Sequence, residues 1–373
     1  MSSSLSPENL VNALSLGALY ALIAVGYTMV YGIIKLINFA HGEIFMLGAF
    51  FALLVVGMEE ATGINVFVAL VPAMLLCAAV GMSVDWASYL SLRRRLPLAD
   101  SLSVILLGAL GIGAIAYKLT GETTHAWYSE SGHAVLGWGV VTLIPATMLS
   151  LAVGEKAGVL GRSLGRVKSD RLSALITAIG MSLMLQTLTQ LIWGADYRAF
   201  PQEAIPAFVN ERVGFFDAIG LPVLWKELSI WITAVLMMIG LHLLVTRTKI
   251  GTAMRACSMD QETAALMGIS VDRVIAFTFV IGSAMAAVAG VLYAVKVGGN
   301  ISFRMGYYPG LLAFAAAVLG GIGNIRGAML GGVLIGFVQG FTGGTFSAPF
   351  LVMILVLLVM PRGILGEPQA TRA

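Results

Sequence analysis

Residues 17–48 read GALYALIAVGYTMVYGIIKLINFAHGEIFMLG, and this stretch decides the fold of the chain. It begins inside an uncharged run that extends from Leu10 to Ile34, then turns polar, and becomes apolar again at Ile44. A charge at the centre of a bilayer costs roughly 2.5–3.5 kcal/mol on insertion scales. We therefore interpret the stretch as a membrane span, a polar turn and a second span. The polar turn, residues 35–43, is called the elbow below, and it is the first place to look for function.

The composition of the whole chain points to the same class of protein. Of its 373 residues, 58% are hydrophobic and only 11% are charged, whereas charged residues make up about 25% of an ordinary soluble domain. The mean hydropathy is +0.92. Uncharged runs of roughly 20 residues, the length that an α-helix needs to cross the hydrocarbon core, are separated by short polar loops. The composition predicts an all-α polytopic membrane protein, in contact with the lipid bilayer, with a single transmembrane domain over residues 1–373.

The uncharged runs predict about eleven transmembrane helices, with charged residues, Pro and Gly marking where each helix ends. Most of the 22 Lys and Arg residues fall in loops that are inside the cell if the N-terminus is outside. Positive charge gathers on the cytoplasmic side of membrane proteins, so we expect an N-out/C-in topology. The helices are expected near residues 10–34, 44–58, 64–84, 101–117, 134–154, 172–195, 228–246, 274–295, 306–325, 327–341 and 346–361.

The motifs that the sequence lacks narrow the possible chemistry. No Gly-Lys dipeptide occurs, so the phosphate-binding P-loop is absent, and no protease or esterase motif is found. We expect a transport subunit and not an enzyme. Two cysteines provide neither a disulfide framework nor a thiolate metal site, and we expect no metal, no cofactor in this chain and no nucleic-acid partner. The middles of the predicted spans lack acidic residues, which argues against an ion-coupled carrier.

Three polar residues of the elbow have two interpretations. Asn38 could cap the following helix, with Glu43 near the positive N-terminus of that helix and His41 at the level of the lipid headgroups. Alternatively, all three line the inner end of a translocation path or gate. Because the predicted topology puts the elbow at the cytoplasmic surface, we take these residues as candidates for a gate or framework at the inner mouth of a path.

Small residues recur at every fourth position in two of the predicted helices. This spacing places them along one face, where they allow helices in lipid to approach closely. Helix packing is therefore the expected role of Gly282, Ala286, Gly290, Gly332, Gly336 and Gly340.

The segment 247–273 lies between two predicted spans on the cytoplasmic side. Its Ala, Met, Gln and Glu residues predict a short helix outside the membrane, with small residues on the face that would dock into a groove of another protein. We call it the coupling segment. The predicted outside loop, residues 196–227, could receive a soluble partner or could be an ordinary connector. The candidate docking residues of the coupling segment are Arg255, Asp260, Glu262, Ala264, Ala265 and Gly268.

Five stretches distributed over the chain carry a family resemblance. They read GALYALIAVGYTMVYGIIKLINFAHGEIFMLGAF (17–50), SDRLSALITAIGMSLMLQ (169–186), RACSMDQETAALMGISVDRVIAFTFVIGSAMAAVAGVL (255–292), AFAAAVLGGIGNIRGAMLGG (313–332) and LVLLVMPRGILG (355–366). In this order they closely resemble the permease of the high-affinity branched-chain amino-acid importer, an ABC transporter permease of the LivH type. The resemblance implies the ABC importer permease fold in the bacterial inner (cytoplasmic) membrane.

The same resemblance implies partners. They are a second permease subunit of the LivM type, two ABC ATPase subunits that use the ATP, and a periplasmic amino-acid-binding protein for leucine, isoleucine and valine. Within the coupling segment, Glu262, Ala264 and Gly268 match the E-x-A-x-x-x-G core by which importer permeases of this family engage their ATPases. The resemblance thus implies that the coupling segment is the ATPase contact.

One departure from the family pattern is an insertion. Residues 92–165 contain two additional apolar runs, 101–117 and 134–154, beyond nine helices that are like those of the family. Because both flanks of the insertion are basic, we expect a peripheral two-helix hairpin with a periplasmic loop at 118–133. Two other functions stay open: a related importer for urea or amides, and a stand-alone channel or ion-coupled carrier.

Overall fold

The computed structural model describes residues 6–57, 63–86 and 171–366, and these ranges are dominated by helices. The insertion at 92–165 and the predicted helices 101–117 and 134–154 lie outside the described residues. Short 3-10 turns occupy Gln202–Ala204 and Ala207–Asn210. The longer elements are α1 (Pro7–Ile34), α2 (His41–Val56), α3 (Val66–Val84), α4 (Arg171–Trp193), β1 (Arg198–Ala199), α5 (Gly214–Ala218), α6 (Trp225–Arg247), α7 (Lys249–Met259), α8 (Gln261–Leu266), α9 (Val271–Lys296), β2 (Asn300–Ile301), α10 (Tyr307–Gly320), α11 (Ile325–Phe341) and α12 (Ser347–Val359).

The helix ends follow local sequence signals. Ser6 precedes Pro7 and accepts a hydrogen bond from the Asn9 amide at 3.3 Å, which caps α1. Such side-chain acceptors satisfy amides that have no partner within the helix. At its other end α1 stops at Lys35, whose left-handed backbone (φ 60°) makes it the single non-glycine residue with positive φ in the described ranges. The chain therefore leaves α1 in a sharp reversal at the start of the elbow.

Every predicted helix that falls within the described ranges corresponds to a helix of the structure. Five are long and apolar enough to cross a membrane by length and composition: Pro7–Ile34, Val66–Val84, Leu175–Trp193, Trp225–Arg247 and Val271–Lys296. The other four apolar helices, α2, α10, α11 and α12, have 13 to 17 residues. At 1.5 Å per residue they are about 20–26 Å long, which is less than the roughly 30 Å of a hydrocarbon core. The number of full crossings and the N-out/C-in orientation stay predictions.

The core of the bundle is built around α2. All but one of the residues of α2 are buried, and α1, α3 and α9 pack against it. A second close contact joins α1 to α11, where Gly332, Gly336 and Gly340 face Ala21, Gly17 and Ala13. Helices α3, α6 and α12 expose large apolar side chains on their outer faces, as expected for contact with lipid.

One end of the bundle carries the connection between α4 and α6. Here β1 pairs with β2 in an antiparallel register, with Arg198 opposite Ile301. The guanidinium of Arg198 also donates a hydrogen bond to the carbonyl of Trp193 at 2.8 Å. This small sheet ties the predicted outside loop to the segment that links α9 and α10.

Replacing Gly336 with Ala is expected to lower stability by about 1–3 kcal/mol, because added atoms in a tight helix contact force the backbone apart. A Cβ at Gly336 would lie 2.8 Å from the carbonyl oxygen of Ala13. Gly240 on α6 is the matched control, since among the described residues no atom beyond its own helix backbone lies within 4 Å of a Cβ placed there and Ala is the better helix former. Thermal unfolding of the purified protein in detergent should give a lower Tm for Gly336→Ala and an unchanged or higher Tm for Gly240→Ala. Equal Tm values would contradict this account of the α1–α11 contact.

Candidate functional site

The three polar residues of the elbow lie inside the bundle. Asn38, His41 and Glu43 are only 2%, 1% and 3% exposed. His41 thus packs against protein and not against lipid headgroups. The elbow folds back between α1, α9 and α10, where glycines leave room for it.

Asn38 shapes the turn that leads into α2. Its side-chain oxygen accepts a hydrogen bond from the Ala40 amide at 3.2 Å, and its backbone carbonyl accepts one from the His41 amide at 3.1 Å. The N-cap position of α2 is Ala40, which has no side-chain cap. Asn38 thus forms an Asx turn before the helix and does not cap the helix itself.

His41 packs against the middle of two long helices. Its ring meets that of Tyr27 edge-to-face at a centroid distance of 4.7 Å, and its Cε1 would lie 2.5 Å from a Cβ at Gly26 and 3.7 Å from one at Gly282. Gly26 is eight residues before the end of α1, or about 12 Å along the helix axis. The imidazole therefore sits well inside the bundle.

Glu43 also reaches the middle of a predicted span. Its Oε1 accepts a hydrogen bond from the Ser182 hydroxyl at 3.3 Å, and Ser182 is the central residue of the 23-residue helix α4. Its Oε2 would lie 2.6 Å from a Cβ at Gly306. The middles of the predicted spans lack acidic residues, but the elbow carries this carboxyl group to the middle of α4.

Each of the three elbow side chains has a polar atom that lacks a hydrogen-bond partner among the described residues. These atoms are Asn38 Nδ2, His41 Nε2 and Glu43 Oε2. Leaving a buried polar atom unsatisfied costs about 1–3 kcal/mol, and such atoms in a native protein call for an explanation. His41 faces α1 and α9 whereas Glu43 faces α4 and the start of α10, so the elbow is not one closed pocket. The described residues also contain no group of three or more potential metal ligands.

The coupling segment forms two short helices joined at Asp260. The Asp260 carboxylate caps α8 by accepting hydrogen bonds from the amides of Glu262 and Thr263 at 2.9 and 3.3 Å. Arg255 is exposed and donates to the carbonyl of Val245 at the end of α6. The cap and this contact fix the two helices to each other and to α6.

The outer face of the coupling segment differs from the small-residue face expected from the sequence. Ala264 is buried and Ala265 half-buried, whereas Glu262 and Gly268 are exposed. Three apolar side chains that the sequence pattern did not identify as docking candidates are highly exposed. They are Met259, Leu266 and Met267, at 89%, 88% and 79%. Large apolar residues on an otherwise polar surface helix are the signal that could have identified them.

A hydrogen bond links the coupling segment to the elbow. Gln261, the first residue of α8, donates from Nε2 to the backbone carbonyl of Ile33 at 2.6 Å. This carbonyl is one of the last four of α1, which have no partner within the helix. Gln261 therefore holds the end of α1 two residues before Lys35.

The small residues of α9 also lie in helix contacts. Gly282 is next to Gly26 of α1, and a Cβ at Gly290 would lie 3.0 Å from the carbonyl carbon of Phe45. Ala286, between them, is fully buried.

This arrangement of long apolar helices, short buried helices and an exposed surface helix pair defines a multi-pass α-helical membrane protein. The sequence matches the family described as "Branched-chain amino acid transport system / permease component" over residues 9–127 and 98–361. The chain belongs to this family of transport permeases, and it is a multi-pass protein of the bacterial inner membrane.

Curated relatives match the chain over nearly its whole length. The high-affinity branched-chain amino acid transport system permease protein LivH of Salmonella typhimurium is 35% identical over 373 residues, covering 98% of this chain and 97% of the relative. LivH of Escherichia coli K12 and BraD of Pseudomonas aeruginosa are each 34% identical, with the same coverage of 98% and 97%. No solved structure gives a significant match. The resemblance to the LivH type is confirmed, and relatives of this kind are transport subunits and not enzymes.

The fit of His41 against Gly26 can be tested by a double-mutant cycle. Gly26→Ala alone should lower stability by about 1–3 kcal/mol, because the new methyl group overlaps the imidazole. In a His41→Ala background the ring is gone, and we expect the cost of Gly26→Ala to fall by about 1 kcal/mol or more. Thermal unfolding of the four proteins measures both costs.

Equal costs in the two backgrounds would mean that the imidazole does not occupy the space at Gly26. The same His41→Ala protein separates two roles of the residue. Unchanged transport together with lower stability would leave only the framework role, whereas lost transport at unchanged stability would indicate a gate.

Proposed function

We propose that the chain is the permease subunit of an ATP-driven ABC importer that moves the branched-chain amino acids leucine, isoleucine and valine across the inner membrane. It acts with a second permease subunit of the LivM type, two ABC ATPase subunits and a periplasmic amino-acid-binding protein. The observation that carries the proposal is the full-length similarity to LivH and BraD, whose names specify branched-chain amino acid transport. ATP is bound by the partner subunits, and no cofactor is assigned to this chain.

The coupling segment is the proposed ATPase contact. Met259, Leu266 and Met267 form its exposed apolar surface, and flexible Met side chains suit a docking surface. The segment is anchored on one side to α6 through Arg255 and on the other to α1 through Gln261. An ATPase that moves this segment would therefore also pull on the end of α1 and on the elbow.

The cargo is tested by uptake into proteoliposomes that contain this chain with its partner subunits. We expect ATP-dependent uptake of labelled leucine that requires the binding protein, and no uptake of labelled urea. Uptake of urea but not of leucine would mean that the chain is the permease of an amide importer. Leucine uptake by the isolated chain, driven by an ion gradient, would support a carrier that uses the buried Glu43.

The ATPase contact is tested by Gly268→Asp. Gly268 is exposed and has φ +83°, and in the described part of the chain no atom beyond its sequence neighbours lies within 4 Å of an added Cβ. Gly220, in the predicted outside loop, is also exposed, has φ +79° and has the same open surroundings. Both substitutions to Asp thus introduce the same charge and a similar backbone strain of about 1–2 kcal/mol.

We expect Gly268→Asp to reduce copurification of the ATPase subunits and to abolish uptake while the permease still inserts. Gly220→Asp should leave ATPase copurification intact. Equal ATPase binding by the two variants would mean that Gly268 is not part of the ATPase contact.

The link between the coupling segment and α1 is tested at Gln261. Gln261→Leu keeps a similar volume but removes the donor to the Ile33 carbonyl, whereas Gln261→Lys keeps a donor at the helix C-terminus, where a positive charge is also favourable. Because neither change touches the exposed apolar surface, both variants should retain the ATPases. We expect the amount of leucine transported per ATP hydrolysed to fall several-fold in Gln261→Leu and to stay near wild type in Gln261→Lys. Normal coupling in Gln261→Leu would contradict the role of this hydrogen bond.

A further inference from the structure

One long helix of the bundle, α4, carries polar side chains on an outer surface that is otherwise apolar. Thr187 and Gln190 are exposed on it, and Ser182 and Gln186 are half-buried. Within the described residues, neither Gln186 nor Gln190 forms a side-chain hydrogen bond. Polar side chains inside a membrane normally face the protein interior or a water-filled cavity.

The other outward-facing helices provide the contrast. On α3 the exposed residues are Val68, Val71, Leu75 and Met82. On α6, between Ile230 and Leu241, they are apolar or glycine, and on α12 they are apolar except for Ser347, its first residue. These three surfaces suit hydrocarbon, so among the described spans the exposed surface of α4 stands apart.

The polar residues of α4 form an ordered row. Ser182, Gln186 and Gln190 are spaced by four residues, which places them one above the other on the same side of a helix at intervals of about 6 Å. We call this row the polar stripe. It extends from the middle of α4 to within one turn of its end at Trp193, and the N-out/C-in prediction puts that end on the outside.

A buried carboxyl group lies at the inner end of the polar stripe. The Ser182 hydroxyl donates to Glu43 Oε1 at 3.3 Å. Glu43 is only 3% exposed, and its Oε2 has no hydrogen-bond partner within the described part of the chain. The row of hydroxyl and amide groups therefore ends at an acceptor with unused hydrogen-bonding capacity.

We propose that the polar stripe and Glu43 line the aqueous path through the membrane. They bind the carboxylate and ammonium groups of a zwitterionic amino acid as it passes. The glutamine and serine side chains can donate to the carboxylate of the cargo and accept from its ammonium group, and Glu43 can accept from the ammonium group at mid-membrane. The apolar side chain of the cargo needs no polar partner and can lie along the exposed leucines of α4. This assignment rests on the proposed function for the nature of the cargo.

The first test measures whether water reaches the stripe. Single cysteines are placed at Ser182, Gln186 and Gln190 in the assembled transporter, with the buried Cys77 and Cys257 replaced by Ala. Val235 and Ile239 of α6, which are 53% and 51% exposed, are the control positions. A membrane-impermeant methanethiosulfonate reagent should modify the stripe positions at least about 10-fold faster than the controls, because the reactive thiolate forms in water and not in hydrocarbon.

Stripe cysteines as unreactive as the α6 controls would overturn the proposal, since α4 would then face lipid or a dry contact with the second permease subunit. This measurement does not depend on the identity of the cargo. If leucine is not transported but the stripe cysteines react, the proposed function is wrong and the assignment of the aqueous path is still supported.

The second test measures leucine uptake by Gln186→Leu/Gln190→Leu. We expect uptake at least about 10-fold below wild type, the effect of losing one or two hydrogen bonds to a charged group, with subunit assembly unchanged. Gln186→Asn/Gln190→Asn keeps the amides and should recover much of the uptake. Wild-type uptake by the double Leu variant would contradict the binding role. If that variant fails to assemble, the cysteine reactivities decide whether the stripe lines an aqueous path.

Discussion

Contact between backbones at glycine is the constraint on which the centre of this bundle depends. A Cβ at Gly42 would lie 2.8 Å from the carbonyl oxygen of Gly306, and one at Gly310 would lie 2.9 Å from the Gly42 Cα. Real Cβ atoms do not approach other atoms this closely, so any side chain here would move α2 away from α10. With the glycines in place, the first turn of α2 enters the middle of the bundle and takes His41 and Glu43 with it.

The elbow then connects parts of the protein that are distant in sequence. Gln261 of the coupling segment bonds to the last turn of α1, the chain reverses at Lys35, and Glu43 bonds to Ser182 of α4. These contacts form a continuous route from an exposed cytoplasmic surface, in the predicted orientation, to the middle of a predicted span. Coupling between distant sites can be carried by such a chain of packed and hydrogen-bonded groups, and here the chain passes through one reversal of the backbone.

Much of the fold was predictable from the sequence, because uncharged runs and their polar ends define helices locally. Spacing alone likewise predicted that one helix face packs closely, the face that carries Gly332, Gly336 and Gly340. The burial of the elbow was not predictable, because a polar turn between two apolar runs has the same pattern whether it lies at the surface or folds inward. What decides between the two is the space left by Gly306 and Gly310, which are more than 200 residues further along the chain.

The short length of α12 sets a condition on the membrane itself. Its 13 residues cover about 20 Å, yet Leu351, Leu355 and Leu358 are 60%, 54% and 76% exposed on its outer face. Where a helix of this length crosses the membrane, a hydrocarbon layer of about 30 Å can thin beside it, at a cost of a fraction of a kcal/mol per Å of mismatch. Lipids with shorter acyl chains lower that cost, so they should gather around α12 and stabilise the protein more than longer ones.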